Sequence, residues 1–162
     1  MKQLRFLSTL LFTLVIAAVA TAQGGAEAKE YKVISYNVRM SMAPESDGSN
    51  FWNYRREASL KMVAEQQPLV MGLQEACPDQ IEYLDSCLTG YKHVGVGRDD
   101  GKAAGEMMAI YYDTTRLTLI NGGTFWLSET PDKVSLGWDA ACKRTCTWAL
   151  LKLKGNDKEF YY

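Results

Sequence analysis

Histidine is almost absent from this chain of 162 residues, since His93 is the only one. The four cysteines do not compensate, because they lack the usual spacing of zinc ligands. Cys77 and Cys87 flank a predicted helix, which holds them about 15 Å apart, too far for a disulfide. Cys142 and Cys146 can meet only if the chain between them bends. We therefore expect no structural zinc site, and we interpret His93 as a structural residue.

A surplus of positive charge is also missing. The chain has 18 lysines and arginines against 19 aspartates and glutamates, a formal net charge of −1 at pH 7. This balance does not favour a nucleic-acid or anionic-membrane partner, although a small positive cleft can lie within a neutral protein. The glycine-rich stretch GRDDGKAAG, residues 97–105, lacks the G-K-[ST] ending of a P-loop. We interpret it as a hairpin connection near the substrate entrance.

No apolar stretch has the length and purity of a membrane span. The longest one, Phe6–Ala20, is short and is interrupted by serine and threonine. Lys2 and Arg5 precede it, and the small residues Ala-Thr-Ala end it, as in a secretory signal peptide. We predict a signal peptide over residues 1–22, a linker over residues 23–30, and a secreted or periplasmic protein.

The remaining residues, 31–162, predict one mixed α/β domain. Strand and helix patterns first alternate as βαβα, and consecutive strands follow. This order favours an α+β layered domain over a repeating βαβ array. Predicted strands cover residues 31–38, 69–75, 91–97, 106–113, 117–127, 145–155 and 158–162. Predicted helices cover residues 54–67, with Leu60, Val63 and Ala64 on one face, and a segment from Pro78, with Ile81, Leu84 and Leu88 spaced for burial.

The first predicted strand, VISYNVRM, becomes polar towards its carboxyl end. Alternation places Asn37 on a polar face. The second predicted strand, LVMGLQE, is a continuous apolar run typical of a strand covered on both faces, and it ends in Glu75. The opposite, core-like face of the first strand holds Ile34, Tyr36, Val38 and Met40.

Ligands of α/β sheets lie at the carboxyl ends of strands, so Asn37 and Glu75 can share one rim. A carboxylate and an amide oxygen are suitable ligands for Mg²⁺, which also keeps several waters. Two alternatives stay open at this point. Asn37 can cap a turn, and Glu75 can interact with the dipole of the helix that follows it.

These two strands resemble the opening of the endonuclease/exonuclease/phosphatase family, which has the deoxyribonuclease I-like fold. Members begin with a strand that ends in N-[VIL] and continue to a strand that ends in Q-E. The resemblance continues through FWNYRREASLKMV, GVGRDDGKAAGEMMAIYYDTTRLTL and the segment from GTFWLSETP to SLGWDAACKRTCTWALLKLK. The order of N-V and Q-E, together with the strand containing A-I-Y-Y and the motif R-x-x-T-W, makes the resemblance specific.

The resemblance implies an α+β fold, a four-layer α/β sandwich, and metal-dependent hydrolysis of phosphate esters. By this resemblance, Glu75 coordinates a divalent ion, and Asn37 lies beside it and contacts the ion or the scissile phosphate. Both are therefore assigned as catalytic and metal-site residues, with Mg²⁺, or Mn²⁺ in its place, as the cofactor. Arg144 matches a family arginine near the substrate and is assigned to phosphate binding; an ion pair with a carboxylate is its alternative. Glu106 is a further candidate for the rim.

Several aromatic residues have both a functional and a structural interpretation. Trp126, Trp138 and Trp148 can stack on bases or sugars, but packing in the core or at the rim is the commoner use of such residues. Trp52 and Arg55 match a family pattern whose role is architectural. We therefore expect packing roles for most of these side chains.

The later motifs of the family, N-T-H-x-D, G-D-x-N and a final D-H pair, do not occur in this sequence. In the family they supply the base that activates water, phosphate-binding histidines and further metal contacts. The sequence stops within KEFYY, residues 158–162, in the middle of an apolar strand. We therefore expect residues 31–162 to be the amino-terminal half of a domain, inactive and unstable alone, whereas the full-length protein hydrolyses phosphate esters.

Two other classes of function stay open: an exported module that binds a glycan or phospholipid without cleaving it, and an exported structural domain. Within the enzyme hypothesis, the candidate substrates are nucleic acid, phospholipid head groups and small phosphodiesters. The sequence implies no obligate protein partner and no stable membrane span after processing.

Overall fold

The computed structural model describes residues 30–162, and the predicted signal peptide and residues 23–29 of the predicted linker lie outside this part. Residues 31–162 form one compact unit that contains a layer of helices, a four-stranded sheet and a three-stranded sheet. Within residues 30–162, no helix combines the length and the apolar character needed to cross a membrane.

The order of elements agrees with the predicted βαβα pattern followed by strands, with one short extra helix, α1, in the first loop. The strands are β1 (Val33–Asn37), β2 (Val70–Gln74), β3 (Tyr91–Val94), β4 (Ile110–Asp113), β5 (Leu117–Trp126), β6 (Thr145–Leu153) and β7 (Glu159–Tyr161). The helices are α1 (Pro44–Asp47), α2 (Trp52–Gln66) and α3 (Pro78–Cys87), and a 3₁₀ turn covers Gly48–Asn50.

The four-stranded sheet has the order β1-β2-β4-β3. β1 and β2 are parallel, because their connection contains α2 and returns the chain to the same end of the sheet. Asn37 lies opposite Gln74 in this pairing. The carboxyl ends of both strands therefore meet at one edge, as the sequence predicts.

The helices cover one face of this sheet and form the first core with it. Val63 of α2 and Leu84 of α3 pack with Met71, Leu73 and Tyr111 of the sheet. Tyr111 is completely buried, and its hydroxyl donates a hydrogen bond to Asp85 Oδ1 at 2.9 Å. This core fixes the helices relative to the strand ends.

The second core lies between the two sheets. The three-stranded sheet has the order β5-β6-β7, and its strands are antiparallel. β2 contributes to both cores, which confirms that it is covered on both faces. The buried members of the second core are Leu69, Val70, Ile110, Tyr112, Leu117, Ala149, Leu151 and Leu153.

Two predicted core positions are wrong. Ala64 is exposed, because α2 instead turns Ser59 towards the sheet, where its hydroxyl is 2.8 Å from the hydroxyl of Tyr36. Met40 is 37% exposed, because β1 ends at Asn37 and the left-handed conformation of Arg39 turns the chain outwards. The four cysteines are free thiols.

Candidate active site

Asn37 and Glu75 lie side by side at the edge where β1 and β2 end. The side-chain nitrogen Nδ2 of Asn37 donates a hydrogen bond to Glu75 Oε1 at 2.8 Å. Asn37 is the last residue of β1, and Glu75 directly follows β2. The parallel register brings the ends of the two strands together, so these residues meet although they are 38 positions apart in sequence.

The chain that leaves β1 supplies two further contacts to this pair. The backbone N–H of Arg39 donates to Asn37 Oδ1 at 2.8 Å, and that of Met40 donates to Glu75 Oε2 at 3.3 Å. Arg39 and Glu75 have φ values of 55° and 62°, in the left-handed region that side chains other than glycine rarely adopt. Both unusual backbone conformations therefore occur where the chain turns around the site.

The surroundings of Glu75 favour its ionised form. The hydrogen bond from Asn37 is the main cause of the lowered pKa of Glu75, followed by the N–H of Met40. Partial burial opposes this shift, while the positive charges of Arg39 and Arg144 add to it. Glu75 is consequently a carboxylate at neutral pH.

This donor set fits a Mg²⁺ ion that keeps most of its waters. Each carboxylate oxygen of Glu75 accepts one hydrogen bond. Because each oxygen of an ionised carboxylate has a second lone pair, both can still bind a metal ion. Mg²⁺ commonly binds one or two protein carboxylates and substrate phosphate. Asn37 turns its nitrogen towards Glu75, so in this arrangement the amide orients the carboxylate. Among residues 30–162, no group of three or more histidine, cysteine, aspartate and glutamate side chains can enclose a metal.

Arg144 is close enough for its charge to act on Glu75, and its guanidinium is unpaired among the described residues. The residue is exposed and directly precedes β6, and its backbone oxygen accepts a hydrogen bond from Leu127 N at 2.8 Å. Its charge helps lower the pKa of Glu75. Within the described part of the chain, its side chain forms no hydrogen bond or ion pair, so the structure does not show the alternative pair with a carboxylate.

Glu106 is already paired. Its Oε2 is 2.8 Å from Arg98 Nη1, and only 9% of the residue is exposed. Its neighbour Met107 bonds to the backbone of Ala76, so Glu106 lies at the same end of the sheet as Glu75. Its carboxylate is neutralised by Arg98 and is turned into the protein, which leaves Glu75 as the open carboxylate of the two.

Most of the aromatic candidates have packing roles. Trp126 is buried and donates to the carbonyl of Arg98, and Trp148 packs against Tyr161 with ring centres 6.0 Å apart. Trp138 differs, because it is 70% exposed on the loop between β5 and β6 and has a left-handed φ of 46°. The same loop ends at Arg144, so Trp138 remains a candidate for substrate contact.

The other residues noted in the sequence have structural surroundings. His93 Nδ1 is 3.0 Å from Asp85 Oδ1, and its ring packs on Tyr111. Trp52 is buried below the guanidinium of Arg55. These positions agree with the structural interpretation of His93 and Trp52.

A groove of about 650 Å³ lies away from this pair. Leu60, Leu88, Tyr91 and Arg116 are among its lining residues. It opens at the amino end of β2, because Asp113 N, on its wall, bonds to Leu69 O. Its size does not make it the reaction site, since its two charged lining residues, Arg116 and Asp113, are paired with each other at 2.6 Å.

The sequence did not single out the residues that support Asn37 and Glu75. Gln80 is completely buried, accepts from Cys77 N at 2.9 Å and donates to Arg39 O at 3.0 Å. Its position is that of the third residue in a capping box, but cysteine replaces the usual serine or threonine at the helix start. Asp47 is also buried and binds Arg39, and nothing in PESDG predicts its burial.

Solved structures show which proteins this arrangement resembles. An endonuclease/exonuclease/phosphatase family protein from Bacteroides thetaiotaomicron is 40% identical, with a TM-score of 0.78, over 81% of this chain and 48% of its own. The chain belongs to this family. A mannosyl-6-phosphatase from the same organism is 39% identical, with a TM-score of 0.78, over 82% of this chain and 49% of its own. A family member from Bacteroides vulgatus is 36% identical, with a TM-score of 0.74, over 80% of this chain and 48% of its own.

The match also establishes the fold as α+β and deoxyribonuclease I-like, as the sequence predicts. The chain spans about half the length of these solved structures. Scans of family profiles and of curated proteins gave no match.

Replacing Asn37 by alanine removes the hydrogen bond that contributes most to the lowered pKa of Glu75. We expect the pKa of Glu75 to rise in Asn37→Ala, as followed by NMR titration of its carboxyl carbon. In the unchanged protein the folded-state pKa is the lower one, so Glu75 stabilises the fold above its unfolded-state pKa. This contribution disappears as the pH falls through the folded-state pKa, and Asn37→Ala should weaken that pH dependence.

The matched control is Asn53→Ala, which removes an exposed amide of α2 whose hydrogen-bond partner within residues 30–162 is Arg56. The pKa of Glu75 should not change in this variant. An equal pKa of Glu75 in Asn37→Ala and in the unchanged protein would contradict the assigned role of the amide.

Proposed function

We propose that this chain supplies the metal-binding half of a Mg²⁺-dependent phosphoric ester hydrolase. The observation that carries the proposal is the contact between Asn37 and the ionised Glu75 at the ends of β1 and β2, together with an unpaired Arg144 whose charge acts on Glu75. Family membership supports phosphate ester hydrolysis as the class of reaction.

In this proposal each residue has a distinct role. Glu75 is the metal ligand, and Asn37 orients its carboxylate and favours its ionised form. Bound Mg²⁺ would polarise the phosphoryl oxygen and offset its developing charge. Arg144 holds the phosphate oxygens, for which a guanidinium has matching geometry.

We further propose that hydrolysis needs the second half that the relatives carry. A base is required to activate water, and the one histidine of this chain, His93, is engaged with Asp85 and packed on Tyr111. Residues 30–162 therefore offer a metal ligand and a phosphate contact without a free histidine base. The chain alone is proposed to be inactive.

The proposed location is outside the cytoplasm, secreted or periplasmic, and it rests on the predicted signal peptide of residues 1–22. This location favours extracellular nucleic acid, phospholipid head groups and small phosphate esters as substrates. A non-catalytic module for glycan or phospholipid is the alternative class, and it predicts binding without turnover.

Glu75→Gln tests the metal proposal, because it keeps the shape of the side chain and removes its charge. In the full-length protein we expect Mg²⁺-dependent hydrolysis of a phosphate ester, abolished by EDTA and restored by Mg²⁺. Glu75→Gln should lower kcat by at least about 100-fold. Mg²⁺ at 100 times its Kd should stabilise the unchanged protein by about 2.7 kcal/mol, measured by thermal unfolding, and should not stabilise the variant.

Glu82→Gln is the control, because Glu82 is an exposed glutamate on α3, the helix that follows Glu75. It should retain both activity and stabilisation by Mg²⁺. Full activity of Glu75→Gln in the presence of EDTA would end the metal hypothesis, and binding without turnover would favour the non-catalytic module.

A sugar phosphate is the substrate that we propose to test first. The 39% identity to a mannosyl-6-phosphatase supports it. The exposed ring of Trp138, on the loop that leads to Arg144, is suited to pack against a sugar ring. Among small phosphate esters, we therefore propose a hexose phosphate monoester as the substrate.

Two substitutions separate the phosphate contact from the sugar contact. Arg144→Ala should raise KM about tenfold for both a hexose 6-phosphate and a synthetic phosphodiester, because it removes a charged hydrogen-bond donor. Trp138→Ala should raise KM for the hexose 6-phosphate alone. Lys133→Ala, an exposed cation on the same loop, should change neither value. Faster turnover of the diester than of the sugar phosphate would reject the sugar proposal.

A further inference from the structure

The two N–H groups that orient the site belong to two consecutive peptide units. The carbonyl of Val38 and the N–H of Arg39 share one planar unit, and the carbonyl of Arg39 and the N–H of Met40 share the next. A peptide unit is rigid, so whatever holds its carbonyl also sets the direction of its N–H. The partners of these two carbonyls therefore decide how Asn37 and Glu75 are held.

Arg55 of α2 binds both carbonyls. Its Nη1 donates to Val38 O, and its Nη2 donates to Arg39 O at 2.7 Å. Its Nε donates to Asn50 O at 2.6 Å, and its guanidinium lies 5.1 Å from the ring centre of Trp52. The guanidinium is therefore held by a buried ring, over which it lies, and by three carbonyls, to which its three nitrogens donate.

Gln80 adds a second donor to the Arg39 carbonyl, at 3.0 Å, and it does not contact the Val38 carbonyl. The side chain of Arg39 binds the buried Asp47 through Nε at 3.0 Å and Nη2 at 2.5 Å. The left-handed conformation of Arg39 is thus held from both its backbone and its side chain.

We propose that Arg55 is a positioning residue for the candidate metal site. It fixes the two peptide units after β1 so that the N–H of Arg39 points at Asn37 Oδ1 and the N–H of Met40 points at Glu75 Oε2. It touches neither side chain of the pair. The expected effect of Arg55 on Mg²⁺ binding rests on the proposed function, whereas its effect on the two N–H groups does not.

Lysine cannot replace Arg55 in this role. A guanidinium presents a rigid fork of donors, whereas an ammonium is a single charged group on a flexible stem. Arg55→Lys keeps the positive charge and loses the simultaneous contact to both carbonyls. It therefore separates the geometric contribution of Arg55 from its charge.

The test uses the full-length protein and two readouts. NMR of backbone amides should show changed proton shifts for both Arg39 and Met40 in Arg55→Lys, because their hydrogen bonds weaken. Calorimetric titration with Mg²⁺ alone should show a Kd raised by about tenfold, the lower range for a residue that supports a ligand. Arg56→Lys is the control: Arg56 lies on the ring of Tyr83, and its side chain contacts Asn53 and Glu57.

Gln80→Met is a second variant, and it keeps the test available if Arg55→Lys does not fold. Of the carbonyls of Val38 and Arg39, Gln80 binds only that of Arg39, which shares a peptide unit with the N–H of Met40. Loss of the Gln80 side chain should therefore change the amide proton shift of Met40 and leave that of Arg39 unchanged. If Arg55→Lys folds and the amide proton shifts of Arg39 and Met40 do not change, the positioning role of Arg55 is overturned. Absence of Mg²⁺ binding in the unchanged protein would instead reject the proposed function, while the amide shifts would still decide the role of Arg55.

Discussion

The hydrogen bond from Asn37 to Glu75 joins the ends of two parallel strands, and the candidate site depends on it. The contact exists because α2 carries the chain from β1 back to the start of β2, so both strands end at one edge. It favours the ionised form of the carboxylate and orients it. Arg144, which directly precedes β6, supplies positive charge without binding the carboxylate.

The surrounding structure keeps this rim in a conformation that a free chain would seldom adopt. Arg39 and Glu75 both have left-handed backbones, which cost roughly 1–2 kcal/mol per residue for side chains other than glycine. Part-buried contacts hold Arg39 in this conformation, namely its ion pair with Asp47 and the hydrogen bond from Gln80 to its carbonyl. The cores on both faces of β2 give these contacts a rigid base.

Periodicity predicted the order of elements, the burial of β2 on both faces and the shared edge of Asn37 and Glu75, because these follow from local pattern and parallel pairing. It did not predict the burial of Asp47 or the role of Gln80, since those depend on contacts between distant segments. Ala64 was wrongly placed in the core because a serine, Ser59, finds a buried hydroxyl partner instead. The pairing of Glu106 with Arg98 likewise has no local signature.

The central claim is that a divalent ion binds at Glu75. The most direct measurement is line broadening of backbone and side-chain amide signals by substoichiometric Mn²⁺, a paramagnetic ion that accepts the same oxygen ligands. The account predicts that the side-chain amide of Asn37 and the backbone amides of Met40 and Ala76 broaden first, and that excess Mg²⁺ restores them. Strongest broadening at another part of the chain, or no site-specific broadening, would contradict it.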